Sequence, residues 1–76
     1  MDVKKEIISR LDRMSKTKPT EDSNIFELGI DSLDLVHSIS NLEDVFEIEI
    51  TDTELVQLQK VSDIVALVER KIDEKK

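Results

Sequence analysis

Seventy-six residues with 11 Lys and Arg, 18 Asp and Glu and one His carry a formal charge of −7, and a chain of this length builds one small domain whose thin core leaves no room for an enclosed catalytic cavity. The absence of Cys excludes disulfides, thiolate metal sites and protein-borne thiol chemistry. The longest apolar run, Ile64 to Val68, falls far short of the roughly 20 residues of a bilayer span, and the start Met1 to Glu6 lacks a secretory h-region, so a cytoplasmic protein without stable membrane insertion is expected.

Val3, Ile7, Ile8, Leu11 and Met14 recur at helical spacing and predict a first amphipathic helix from Asp2 to about Met14. Ser15 to Asn24 offers nothing apolar, and Pro19 biases Lys18 away from helical angles, so the helix must end before it. The connection to Asp31 is about 17 residues, long for a small domain unless it has a function. Its second half is expected to be pinned to the core by Ile25, Phe26, Leu28 and Ile30.

A second helix opens at Asp31-Ser32-Leu33-Asp34, with Asp31 as N-cap and Asp34 favouring the positive end of the dipole. Leu35, Val36, Ile39, Leu42, Val45 and Phe46 carry its packing period, while Asp34, His37, Asn41 and Asp44 form a stripe facing solvent or a partner. Glu47-Ile48-Glu49-Ile50 alternates, but no second alternating segment exists to pair with it, so it reads as an extended loop with Ile48 and Ile50 plugging the core. Thr51 and Glu54 form a capping box for a short third helix carrying Leu55, Val56 and Leu58. The last helix spans roughly Val61 to Lys75, with basic residues at its negative end and a tail, Asp73 to Lys76, expected to fray. The fold class is all-α: a small four-helix bundle, three main helices plus one short helix, with a long loop between helices 1 and 2.

Charge is unevenly placed. Residues 1–20 carry six basic and three acidic side chains, residues 21–59 carry eleven acids and no Lys or Arg, and residues 60–76 carry five bases and four acids. Such a middle segment repels nucleic acid and anionic lipid, raises the encounter rate with a basic protein patch, and argues for a monomer. Intrinsic catalysis has no candidate. His37 lies five positions after Ser32, which puts the two side chains about 140° apart around a helix. Glu43, Asp44, Glu47, Glu49 and Asp52 lack calcium-loop spacing, and a single Gly cannot build a phosphate-binding loop, so no dedicated metal site is expected.

Ser32 stands out by its context. Phe26-Glu27-Leu28-Gly29-Ile30-Asp31-Ser32-Leu33-Asp34 closely resembles the phosphopantetheine attachment signature of acyl carrier proteins, whose Leu-Gly-x-Asp-Ser-Leu core holds the modified serine. Leu42 to Ile50 is similar to that family's second-helix end and following loop, and the resemblance extends over almost the whole chain in length, acidity and helix order. It implies one acyl-carrier domain over residues 1–76, not an enzyme, with 4′-phosphopantetheine moved from coenzyme A onto Ser32 by a phosphopantetheinyl transferase. The arm would carry acyl groups as thioesters for fatty acid, lipid or polyketide-like biosynthesis. The resemblance also implies docking of basic patches on the transferase, acyl-ACP synthetase, ketosynthase or acyltransferase-type enzymes through Asp31, Leu33, Asp34, His37, Glu43, Asp44 and Glu47. His37-Ser38-Ile39-Ser40-Asn41 departs from the family's acidic and aliphatic pattern at this place, and Ser38, if it lines the acyl groove, would disfavour a purely hydrocarbon cargo. An acidic adaptor that never carries a prosthetic group is the competing reading, separated from the carrier by its indifference to the Ser32 hydroxyl.

Overall fold

Helix α1 starts where its cap places it. In the computed structural model, which describes residues 2–75, the Asp2 carboxylate accepts the Lys5 N–H (3.2 Å) and α1 runs Val3–Asp12. It stops short of Met14: the N–H groups of Met14 and Ser15 both turn back onto the Leu11 carbonyl. Ile7 and Leu11 are its buried residues, and they pack mainly against the last helix.

The long connection is an ordered part of the core. A 3-10 turn, Ile25–Leu28, which periodicity did not foresee, interrupts it. Ile25, Leu28 and Ile30 are buried as expected, but Phe26 is 64% exposed. Pro19, in the stretch that offers no other side-chain anchor to the core, is buried too. Backbone hydrogen bonds stitch the loop down: Ile25 N–H to the Gln59 carbonyl (2.8 Å), Val61 N–H to Ser23 and Ser62 N–H to Glu21 (3.0 Å each). A loop of this length is therefore affordable because its polar backbone finds partners at the start of the last helix.

Helix α2, Ser32–Phe46, buries Leu35, Ser38, Ile39 and Leu42. Two members of its expected packing stripe, Val36 and Val45, are exposed instead. Their positions lie at the edges of the apolar arc, where α1 and the last helix do not cover them. The helix ends at Glu47 in the left-handed region (φ 54), whose N–H, like that of Ile48, returns to the Glu43 carbonyl. Helix α3, Asp52–Val56, is one short piece opened by the Thr51–Glu54 capping box. Leu58 lies just beyond it and is buried, whereas Val56 is 78% exposed.

Helix α4, Val61–Glu74, has Lys60 at its N-cap and Asp63 reaching back from its first turn: one carboxylate oxygen accepts the N–H groups of Gln59 (3.1 Å) and Lys60 (3.0 Å). These bonds, Lys60 first, hold the Asp63 carboxyl below its usual range. Val61, Ile64, Val65, Leu67 and Val68 form the largest single contribution to the core. The expected fraying is not found at Asp73 and Glu74, which are helical, or at Lys75, whose ammonium donates to the Phe46 carbonyl (3.2 Å) at the end of α2. Lys76 lies outside the described residues. Among those residues the fold is the expected all-α bundle with no strand; the alternating Glu47 to Ile50 segment is a loop with Ile48 and Ile50 half-buried against the core.

Candidate functional site

The segment before α2 is a sequence of caps. The Asn24 side chain accepts the Phe26 N–H (2.9 Å) and its carbonyl accepts the Glu27 N–H (3.0 Å), which starts the 3-10 turn. Gly29 ends it in the left-handed region at φ 76, a conformation that costs an L-residue roughly 1–2 kcal/mol. A Cβ at Gly29 would also sit 3.0 Å from Cδ of Lys16, whose N–H donates to the Leu28 carbonyl (2.9 Å). The chain then extends through Ile30 to Asp31, whose carboxylate caps α2 by accepting the Leu33 N–H (3.2 Å) and whose carbonyl accepts the Leu35 N–H (2.9 Å).

Ser32 is the first residue of α2 and is exposed. Among the described residues, no acceptor meets the N–H groups of Ser32 and Asp34, and no side chain hydrogen-bonds the Ser32 hydroxyl. His37 is exposed on the same helix but turned away from it, so the hydroxyl has no general base. What the arrangement offers is a free primary alcohol, open to another protein's active site, beside unused N–H donors at the positive end of a helix.

The other residues singled out from sequence divide into groups. Asp34, His37 and Asp44 lie exposed on the outer stripe of α2, with Leu33 (71% exposed) and Val36 (47% exposed) beside them. Asp31 is exposed too, though its carboxylate is engaged in capping. Glu47 is exposed at the helix end, 3.7 Å from the Lys75 ammonium. Glu43 is half-buried, and its carboxylate accepts the Ile50 N–H (3.0 Å), so it latches the following loop onto α2. Ser38 and Ser40 part company: Ser38 is 6% exposed and Ser40 faces solvent. No fully buried side-chain polar atom among the described residues lacks a partner.

Sequence reasoning missed the Asn24 cap, the approach of Lys16 to Gly29 and the latch of Glu43. The first had a signal, an Asn placed before an apolar run; the other two depend on loop paths that periodicity does not encode.

Residues 5–68 match the family described as the phosphopantetheine attachment site. An acyl carrier protein homolog of Mycoplasmopsis pulmonis is 51% identical over 71 residues, covering 93% of this chain and 97% of that protein. The acyl carrier protein of Campylobacter jejuni is 41% identical over 64 residues, covering 84% and 83%. A crystal structure of an acyl carrier protein from Thermotoga maritima superposes with a TM-score of 0.80 at 27% identity, over 97% of this chain and 95% of that one. Proteins of this family are carriers and not enzymes; they hold 4′-phosphopantetheine covalently and interact with a transferase and with biosynthetic enzymes. The start of α2 fits such a group, since it offers an exposed hydroxyl and unused N–H donors for a phosphodiester, against the opposing charges of Asp31 and Asp34. The family match over residues 5–68, relatives well above 30% identity and the shared helical fold make this chain a member of the acyl carrier protein family, with a carrier role in acyl biosynthesis.

Proposed function

We propose that Ser32 is the residue that carries 4′-phosphopantetheine, and that residues 1–76 form one carrier domain passing acyl groups between cytoplasmic enzymes of fatty acid, lipid or polyketide-like biosynthesis. The observation that carries this reading is the exposed Ser32 hydroxyl at the capped start of α2, within Leu28-Gly29-Ile30-Asp31-Ser32-Leu33. When bound, the arm supplies a terminal thiol that this Cys-free chain does not own. The chain's own residues do the rest. Gly29 turns the loop into the start of α2, Asp31 fixes the first turn of α2, and the unused Ser32 and Asp34 N–H groups would be donors for the phosphodiester.

Partners are recognised by charge and by an apolar anchor. Asp31, Asp34, His37, Asp44 and Glu47 offer an acidic, polar rim, and Leu33 offers the apolar contact at its upper end. Glu43 contributes to the negative field while its carboxylate stays on Ile50. The partners of this chemistry are a phosphopantetheinyl transferase and acyl-ACP synthetase, ketosynthase or acyltransferase-type enzymes with Lys- and Arg-bearing patches.

Intact mass measurement tests the reading. Purified protein and its Ser32→Ala variant are incubated with coenzyme A, Mg²⁺ and a broad-specificity transferase whose competence is checked on another carrier. One added phosphopantetheine in the parent and none in Ser32→Ala is expected. Addition to both proteins would move the attachment point elsewhere, and no addition with both that enzyme and the host's own transferase would overturn the carrier reading of Ser32.

A further inference from the structure

Between residues 21 and 59 the chain has no Lys or Arg, so the segment that holds Ser32 supplies no lysine or arginine charge of its own. A phosphodiester at Ser32 would add a negative charge between the carboxylates of Asp31 and Asp34. The fold brings the side chain of Lys16, from outside the segment, to Gly29, three residues before Ser32. The Lys16 N–H donates to the Leu28 carbonyl (2.9 Å), and the side chain lies over Gly29, with Cδ 3.0 Å and Cγ 3.2 Å from where a Cβ would stand. Lys16 is exposed, and among the described residues no carboxylate lies within ion-pairing distance of its ammonium, although 18 acids outnumber the bases. Lys5, Arg13, Lys18 and Lys60 also make no ion pair among the described residues, but Lys16 alone of these has its N–H on Leu28 and its stem beside Gly29, so its charge is available close to the turn that leads into Ser32.

We propose that Lys16 is the counter-ion of the phosphodiester carried at Ser32: a positioning residue that offsets Asp31 and Asp34 and steadies the root of the arm. The proposal rests on Ser32 being the attachment point. Gly29 has a second purpose in this arrangement, because the missing Cβ is what lets the Lys16 stem cross the turn. The interaction is one between exposed charges, so it is modest and screened by salt.

The test is a cycle between the side chain and the prosthetic group. Lys16→Met keeps the stem over Gly29 and removes the charge, while Lys16→Arg keeps a charge. The mass of each protein before and after loading establishes that Ser32 is modified; failure at this step overturns the attachment reading itself, and with it the proposal. Thermal unfolding of apo and holo forms then reads the coupling. At low ionic strength Lys16→Met should lower the holo midpoint by about 2–4 °C more than the apo midpoint, with Lys16→Arg close to the parent. In 1 M salt, where the Debye length is about 3 Å, the difference should vanish. Equal changes in apo and holo forms, or a difference that survives 1 M salt, would show that Lys16 acts only through packing and would overturn the proposal.

Discussion

Two of the described residues stand in the left-handed region, Gly29 at φ 76 and Glu47 at φ 54, and they make opposite predictions. Gly29 suits its angle and its crowding, so Gly29→Ala adds left-handed strain and presses a methyl group onto the Lys16 stem. The strain alone is worth about 1–2 kcal/mol, and the melting midpoint should fall by about 5–10 °C. Glu47 already bears such strain at the end of α2, where Gly or Asn is the usual occupant. Glu47→Asn should therefore leave the midpoint unchanged or raise it by a few degrees, even though the 3.7 Å approach to Lys75 is lost. A clear fall in the midpoint of Glu47→Asn would mean that the Lys75 pairing outweighs the strain. The Asn24, Asp31, Thr51 and Asp63 caps act at the same scale, each a side chain within four residues of the N–H it serves; Asp31 and Thr51 were legible in the sequence, whereas the Asn24 and Asp63 caps were not read from it.

At the scale of elements, α3 is the piece with the least support of its own. Five residues do not make a stable helix, and α3 buries none of them fully. Glu54 holds it in place by two means: its carboxylate completes the capping box with Thr51, and it meets Arg70 (2.8 Å) and Lys71 (2.9 Å) of α4. The Lys71 ammonium first, and then the Thr51 N–H, hold the Glu54 carboxyl down to about 2, from an ordinary 4.5. A carboxylate with a depressed value favours the fold above pH 4.5, and that contribution drains away as the pH falls toward 2. Glu54→Gln should accordingly be less stable than the parent at pH 7, with the gap closing between about pH 5 and pH 2 when the two are unfolded side by side in urea. A gap independent of pH would assign the effect to packing. The capping half of this arrangement was legible, because Thr51 and Glu54 are neighbours in sequence. The clamp to α4 was not, because Arg70 is 16 residues away and its approach depends on how two helices cross. The same distinction applies to the 3-10 turn: Ile25, Phe26, Leu28 and Ile30 follow no helical period, and which three of them are buried depends on the path of the loop over the core.

Over the whole molecule, the two dominant features were both present in the sequence, the helical period that sets the bundle and the segregation of charge that leaves residues 21–59 without a cation. Not legible was which acids would remain free to act. Glu43 and Glu54 are committed to internal contacts, whereas Asp34 and Asp44 stand exposed about 15 Å apart along α2. A field spread over the molecule and a local stripe both speed encounter with a basic partner, but they differ in what a single charge reversal does. Asp44→Lys and Asp73→Lys change the net charge equally; Asp44 is on the stripe and Asp73 is exposed near the end of α4. If the stripe is the docking surface, Asp44→Lys should raise the apparent KM of the phosphopantetheinyl transferase by about three- to tenfold at low salt with kcat nearly unchanged, and Asp73→Lys should stay close to the parent. The Asp44→Lys effect should shrink as the Debye length falls below about 8 Å at physiological salt and beyond. Equal increases for both variants would assign recognition to the net charge of −7 instead, and α2 would then present its serine without choosing its partner.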